Sequence, residues 1–213
     1  MEKKRYQGAS NDKDRSKQKL IQAVGVVVKA KGYTGLTATN ISKAAGLDRK
    51  LVTLYFGSVD NLIEIYIKSK DYWVAASGEV NNLTEDNQDT KQVLEKLLLN
   101  QLDYFYGNEE MQKIVLWQIS QRSQIMFQVC EEREQLSSKF FVLTDKELKG
   151  KDIDLRAIVG LLVSGIYHMV LHAKTTDSLF CEIDINKPEG MKRIKDAISL
   201  ILESAYSNFN KTI

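Results

Sequence analysis

Two cations stand side by side at Arg49 and Lys50, shortly after a glycine at position 46. Their side chains can donate hydrogen bonds to guanine O6 and N7 or to phosphate oxygens. Asp48 directly precedes them and has a side-chain oxygen able to cap the first turn of a helix. The pattern therefore places both cations in the first helical turn, from which a recognition helix reaches base edges in the DNA major groove.

The surrounding segment, residues 37–56, contains two short helical patterns that meet at Gly46. Glycine tolerates the positive φ that such a tight turn needs. Thr37 and Asp48 supply the N-terminal capping oxygens. Small and apolar residues mark one face of each helix: Ile41, Ala44 and Ala45 in the first, Val52, Tyr55 and Phe56 in the second. This spacing indicates a helix-turn-helix.

A longer amphipathic helix is predicted just upstream, over residues 17–31, with Gly32 as its C-terminal cap. Its apolar face is formed by Leu20, Ile21, Val24, Val27 and Val28. A helix with such a face needs a partner to cover it. We therefore predict a three-helix N-terminal unit.

These residues resemble the DNA-binding domain of TetR-type bacterial transcriptional regulators. The resemblance extends from the helix that ends at Lys31 to Leu62. It is carried by Lys31-Gly32-Tyr33, by residues 36–42, by Ala45-Gly46-Leu47, and by Tyr55-Phe56, Ser58 and Leu62. Residues 63–213 are similar to the family only in length, in helicity and in having a C-terminal pair of helices.

Several side chains are candidates for DNA contact. Arg49 is the first candidate for direct base readout, with Lys50 on a base or a phosphate, and Leu51 is a candidate for packing on a thymine methyl. The resemblance implies phosphate and base contacts for Thr53 and Tyr55. It places Thr37 and Thr39 near the DNA backbone, where the helix N-terminus favours phosphate.

Three positions in this segment depart from the family pattern. Thr53 stands where tyrosine is common, Val59 where lysine commonly opens the fourth helix, and Lys50 where glycine is frequent. One interpretation is that the DNA contacts are redistributed toward Arg49, Lys50 and the basic N-terminal arm. The other is that the helix-turn-helix no longer binds DNA, which would leave a dimeric helical ligand-binding or protein-interaction module.

Charge is divided unevenly along the chain. Residues 1–60 contain 12 Lys or Arg and 5 Asp or Glu, a net charge of +7, whereas residues 61–213 contain 18 and 23, a net charge of −5. A basic unit on an acidic body suits DNA binding, because neutralised phosphates supply most of the nonspecific affinity. A disordered, solubilising N-terminal arm would give a similar count.

The rest of the chain is predicted to be helical, because its 213 residues include a single proline. Helices are expected near residues 59–77, 90–106, 109–121, 123–148, 154–175 and 188–208. Polar loops are expected over 81–89 and 175–187, with a stretch at 180–185 that could be extended. Pro188 suits a first helical turn.

The last two predicted helices carry wide apolar stripes. The stripes contain Ile158, Leu161, Leu162, Gly165, Ile166, Met169, Val170 and Ala173 in one helix, and Ile194, Ile198, Ile201, Leu202 and Ala205 in the other. Gly160, Ser164 and Gly165 would allow close helix approach. The pattern fits core burial within one subunit equally well, but the resemblance implies a homodimer that reads a palindromic site.

The resemblance also implies an effector pocket, enclosed by the helices between about residue 60 and residue 175. The candidate lining residues are Tyr104, Trp117, Gln118, Met126, Phe127, His168 and His172. They would form an apolar, aromatic cavity with a few polar groups. His168 and His172 have the i, i+4 spacing of metal ligands, but no nearby residue completes a site, so we expect neither a metal nor a cofactor.

Other function classes are disfavoured. No phosphate-binding glycine loop, nucleophile elbow or zinc-protease motif occurs, so catalysis is not expected. Cys130 and Cys181 are too few for a disulfide framework. No apolar N-terminal segment precedes the basic arm, and the apolar run at 157–166 is too short to span a membrane. These features predict a cytoplasmic protein.

Together these observations predict an all-α chain with two domains. Residues 1–60 would form the helix-turn-helix domain with its basic arm, and residues 61–213 a larger helical domain for effector binding and dimerisation. The expected function is that of a ligand-responsive transcriptional regulator, a repressor that releases a palindromic double-stranded operator when a small molecule binds. No membrane partner is expected.

Overall fold

The computed structural model describes residues 8–73, 75–76 and 89–207, and within these residues the fold is all-α, as predicted. The N-terminal part contains α1 (Gly8–Lys31), a 3-10 turn (Tyr33–Gly35), α2 (Ala38–Ala45), α3 (Lys50–Phe56) and α4 (Val59–Lys70). The remainder contains α5 (Thr90–Gly107), α6 (Glu109–Ser120), α7 (Gln124–Glu147), α8 (Leu155–Thr176) and α9 (Pro188–Ser207).

The helix-turn-helix forms with the local geometry predicted for it. Gly46 adopts a left-handed conformation with φ of 66°, and the Thr37 side chain accepts a hydrogen bond from the Asn40 amide at 3.2 Å. Asp48 Oδ1 accepts from the Lys50 amide at 2.7 Å, so Asp48 caps α3 as expected. Gly32, with φ of 66°, ends α1.

Two predicted boundaries are wrong. Helix α1 starts at Gly8 rather than at residue 17. The predicted helix over 59–77 is interrupted, because α4 ends at Lys70 and Asp71 has extended backbone angles. At the break, Asp71 Oδ1 accepts a hydrogen bond from the Trp73 amide at 2.9 Å, which caps a new helical turn.

The two predicted loops have different outcomes. Of the loop over 81–89, residues 81–88 lie outside the described part, and Asp89 caps α5 by accepting from the Gln92 amide at 3.1 Å. The stretch at 180–185 is a tight turn rather than a strand. Phe180 and Ile183 exchange backbone hydrogen bonds, and the two residues between them have positive φ.

Helix α4 joins the two parts of the core. It packs against α1 and α3 on one side and against α7 on the other. The N-terminal core contains Leu20, Val24, Val28, Ile41, Val52 and Phe56, and the larger core contains Leu98, Leu102, Phe105, Ile114, Val129, Ile166, Val170 and Leu202. Burial of α4 against both cores fixes how the helix-turn-helix sits on the body.

The apolar stripes on α8 and α9 divide into two faces. Ile166, Val170, Ile198 and Leu202 are buried within the subunit. Leu161, Ile201 and the small residues Gly160, Ser164 and Gly165 are exposed. Part of each stripe therefore completes the core, and part forms an apolar surface.

Helix α8 as a whole is more apolar than its central run suggested. Within its 22 residues, an 18-residue window has a mean hydropathy of 1.5, enough in length and composition to cross a membrane, and 17% of that window is buried in the subunit. A single helix of this kind is weak evidence for a membrane span, because helices of soluble proteins reach the same values.

Gly25 marks the place where α1 meets α4 and α6. A Cβ atom at Gly25 would lie 2.4 Å from the Tyr66 hydroxyl oxygen and 3.0 Å from Glu110 Oε2. Tyr66 is buried and its hydroxyl donates to Glu110. Glycine in the middle of a helix is unfavourable by itself, so the close approach of these two side chains explains its presence.

We predict that Gly25→Ala destabilises the protein, although alanine favours helices by about 1 kcal/mol. The overlap with Tyr66 should dominate and give a net loss of about 1 to 2 kcal/mol in urea unfolding. The loss should shrink in a Tyr66→Phe background, which removes the overlapping oxygen. Gly107→Ala, where nothing lies within 4 Å of the added Cβ, serves as control. Equal effects of the two alanines would contradict this explanation.

Candidate DNA interface and effector groove

One face of helix α3 is open to solvent and carries the cations. Arg49, Lys50 and Thr53 are all exposed. Leu54 lies on the same face and is 72% exposed. The face therefore presents two cations, one hydroxyl and one apolar side chain to any partner of α3.

The other two candidates on α3 point differently. Leu51 and Tyr55 are half-buried and pack against the N-terminal core beside Val52 and Phe56. Leu51 is thus less available for contact with a thymine methyl than Leu54. The sequence analysis did not name Leu54 as a candidate. Helical spacing could have found Leu54, because residues 50, 53 and 54 share one face.

The two remaining candidates lie on α2 and its cap, and the departing position Val59 lies at the start of α4. Thr37 and Thr39 are exposed at the start of α2, where the Thr37 hydroxyl is engaged as the helix cap. Val59 is half-buried against the core at the start of α4. Where the family commonly has a lysine, this chain therefore has an apolar side chain that packs against the core.

Three of the seven effector candidates come together. Gln118, Met126 and Phe127 line an open groove of about 720 Å³ between the end of α6 and the start of α7. The residues that line this α6–α7 groove are Gln118, Ile119, Ser120, Gln121, Arg122, Ser123, Gln124, Met126, Phe127 and Cys130. Its volume is within the range of pockets that hold small molecules.

The other four candidates lie elsewhere. Tyr104 lines a separate cavity of about 10 Å³ and donates its hydroxyl hydrogen to the Lys70 carbonyl at 2.6 Å. Trp117 is 8% exposed and stacks on Tyr33 with ring centres 5.5 Å apart, so it joins the body to the 3-10 turn after α1.

His168 and His172 are neighbours on α8, with ring centroids 6.0 Å apart. Both rings contact Phe180, at 4.8 and 5.3 Å. His172 Nε2 lies 2.9 Å from the Ser178 hydroxyl. In the described part of the chain, no three His, Cys, Asp or Glu side chains are grouped closely enough to hold a metal ion. The pair thus packs against the turn after α8.

A buried ion pair lies between the groove and the end of α4. Arg133 donates from Nε to Asp71 Oδ2 at 2.7 Å, and its Nη1 donates to Gln118 Oε1 at 2.7 Å. The Asp71 side chain is fully buried, and the Arg133 side chain is 11% exposed. Gln118, a lining residue of the groove, is therefore two hydrogen bonds away from the residue at which α4 ends.

A second polar cluster joins α1, α4 and α6 at Glu110. Glu110 Oε1 lies 2.8 Å from Lys29 Nζ, and its Oε2 accepts from the Tyr66 hydroxyl and lies 3.8 Å from Lys70 Nζ. Burial alone would raise the pKa of Glu110, but the hydrogen bonds from Lys29 and Tyr66 and the charges of Lys29 and Lys70 outweigh burial, so this pKa is lowered. Burial and the Glu110 carboxylate raise the pKa of Tyr66.

We predict that Glu110→Gln lowers the free energy of unfolding at neutral pH by about 1 kcal/mol, since it removes a charge-assisted hydrogen bond and two cation contacts. Because the folded-state pKa of Glu110 is lowered, its contribution is complete above the ordinary carboxyl pKa and is lost as the pH falls through the folded value. The difference in the free energy of unfolding between wild type and variant should therefore disappear at acidic pH.

The control for this titration is Glu109→Gln. Glu109 is the exposed neighbour of Glu110 and has Lys113 Nζ 3.7 Å away. Exposed pairs contribute little, so this variant should match wild type at every pH. A gap for Glu110→Gln that stays constant between neutral and acid pH would contradict the assignment.

No protein-family model and no curated protein matches the sequence. Solved structures do match. The transcriptional regulator FadR from Bacillus subtilis, in complex with stearoyl-CoA, is 15% identical with a TM-score of 0.63, over 91% of this chain and 99% of that chain.

Two further structures are similar along almost their whole length. A TetR family transcription regulator from Marinobacter aquaeolei VT8 is 14% identical, with a TM-score of 0.65 over 90% of this chain and 97% of that one. NalD of Pseudomonas aeruginosa, the secondary repressor of the MexAB-OprM efflux pump, is 14% identical, with a TM-score of 0.63 over 88% and 95%. The resemblance found in the sequence is confirmed at the level of the fold: the chain has the fold of TetR-family transcription regulators.

Proposed function

We propose that this chain is a DNA-binding transcriptional regulator that responds to a small molecule. The observation that carries the proposal is the exposed face of α3, where Arg49 and Lys50 project from a helix-turn-helix with the predicted caps and turn. The fold supports it, because the similar structures are those of transcription regulators. It assigns the chain no catalytic activity.

In this proposal α3 enters the major groove of double-stranded DNA. Arg49 reads a guanine through O6 and N7, and Lys50 contacts a base or a phosphate. Thr37, Thr39 and Thr53 donate to phosphates, with the Tyr55 hydroxyl at the edge of the interface. Leu54 replaces Leu51 as the apolar contact, because it is the exposed leucine of this helix.

We further propose that the protein acts as a homodimer in the cytoplasm. The apolar surface on α8 and α9, which includes Leu161, Ile201 and the exposed small residues, is suited to burial against the same surface of a second copy. A twofold dimer would place two α3 helices on the half-sites of a palindrome. This burial would also cover the exposed apolar side chains of α8.

Effector binding in the larger domain, residues 61–213, would release the operator and make the protein a repressor. NalD is named as a repressor, and FadR was solved with stearoyl-CoA, so proteins of this fold include both activities. In this chain the α6–α7 groove has the volume for a small molecule. It supplies Gln118, Met126 and Phe127 from the predicted effector set.

The alternative is a dimeric helical module that binds a ligand or a protein and no longer binds DNA. Thr53 and Val59 favour it, because both lack the DNA-contacting groups that are common in the family. The half-burial of Val59 gives that residue a packing role, however, and Arg49 and Lys50 have no described role in the core. The exposed cations therefore favour the regulator.

Selection from a random duplex library with the purified full chain, at near-physiological salt, tests the function. Enrichment of a palindrome is the expected result, since two copies of α3 would read two half-sites. Failure to enrich any sequence, with the protein folded and dimeric, would favour the module without DNA binding.

We predict that Leu54 packs on a thymine methyl in the selected duplex. Replacing that thymine by uracil removes one methyl and should weaken wild-type binding about threefold to fivefold. Leu54→Ala should bind more weakly and lose its sensitivity to the uracil substitution. The control is Leu179→Ala, which changes an exposed leucine on the loop after α8. This variant should remain as sensitive to the uracil substitution as wild type. If no thymine position distinguishes wild type from Leu54→Ala, the contact does not exist.

A further inference from the structure

The charges around the α6–α7 groove are unbalanced. Arg122 is its charged lining residue, and no carboxylate is found among the described residues that line it. Arg122 is exposed and forms no ion pair with any residue in the described part of the chain. A ligand that carries a negative charge would therefore meet a free cation and no opposing acid.

The same groove has an apolar side that water covers in the free protein. Ile119 is 64% exposed and Phe127 is 58% exposed, and the buried side chain of Met126 lies between α6 and α7 beside them. Apolar side chains that line a concave surface are the groups that the apolar part of a small molecule contacts. An apolar group of a few carbon atoms would cover both exposed side chains.

The uncharged polar groups of the groove are amides and hydroxyls. Ser120 and Ser123 bond to backbone atoms three residues away, whereas Gln118 is tied to the neighbouring helix α7, because its Oε1 accepts from Arg133. This bond orients the amide and leaves its NH₂ group as a donor for a ligand. An occupant that moves Gln118 also disturbs Arg133, and with it the ion pair at Asp71 where α4 ends.

We propose that the α6–α7 groove binds an amphipathic anion, with its carboxylate on Arg122 and its apolar body on Ile119, Met126 and Phe127. The occupant acts on α4 through Gln118, Arg133 and Asp71. This second step rests on the proposed function, because α4 matters for regulation in a DNA-binding protein. The binding step does not depend on it.

The binding step is tested without DNA, by titrating the full chain with decanoate below its micelle concentration. The chain has two tryptophans, and both lie near the path, since Trp117 adjoins Gln118 and Trp73 donates to the hydroxyl of Tyr167 beside Arg133. Their fluorescence should change and saturate with decanoate. Decan-1-ol and decylamine, which keep the chain length but lack the negative charge, should bind about tenfold more weakly or not at all.

Two variants place the site. Arg122→Gln should weaken decanoate binding about tenfold and leave decanol binding unchanged, because it removes one charge-assisted hydrogen bond. Lys139→Gln makes the same change of charge at an exposed position on α7 away from the groove, and it should bind like wild type. Decanol binding as tight as decanoate binding, or decanoate binding that Arg122→Gln leaves unchanged, would overturn the proposal.

The coupling step uses the duplex recovered by selection. Saturating decanoate should weaken wild-type DNA binding at least severalfold, and it should act on Arg122→Gln at about tenfold higher concentration. If decanoate binds through Arg122 but DNA affinity does not change, the coupling part of the proposal is wrong. If no duplex is ever selected, the function fails while the fluorescence titration still decides the ligand class.

Discussion

The buried ion pair between Asp71 and Arg133 fixes the point at which helix α4 ends. Removing one partner of such a pair leaves an unpaired charge in the core, at a cost of about 3 to 5 kcal/mol. The fully buried Asp71 carboxylate therefore stays with Arg133 and holds the end of α4 on α7. Because α4 also packs against α1 and α3, the position of the exposed cations on α3 depends on this pair.

Two further contacts reinforce the junction, and they differ in strength. The Glu110 cluster joins α1, α4 and α6 through one buried hydroxyl and two partly exposed lysines, and Trp117 stacks on Tyr33. Exposed ion pairs are weak, whereas buried polar networks resist rearrangement. Arg133 belongs to the buried network and also holds Gln118 at the groove. Gln118 therefore links the groove to the junction through Arg133.

Local signals in the sequence predicted most of the helices. Thr37, Gly46, Asp48 and Pro188 act within a few residues of their own position, so their effects follow from residue type and spacing. The end of α4 could not be predicted in this way, because Asp71 is held by Arg133, 62 residues away along the chain. The effector pocket could not be predicted for the same reason, because helix packing decides which side chains line one cavity. Trp117 and Tyr104 do not line the groove; they contact Tyr33 and the Lys70 carbonyl instead.

In the proposed dimer, the end of α4 sets the spacing of the two DNA-binding units. The most direct measurement compares the affinity of wild type and Arg133→Lys, both verified as folded dimers, for the selected palindrome and for one isolated half-site. Lysine keeps the charge but loses the planar fork that holds Asp71 and Gln118. We expect the variant to lose affinity for the palindrome and to keep its affinity for the half-site, because only the palindrome requires the correct spacing. An equal effect on both duplexes, or no effect on either, would contradict it.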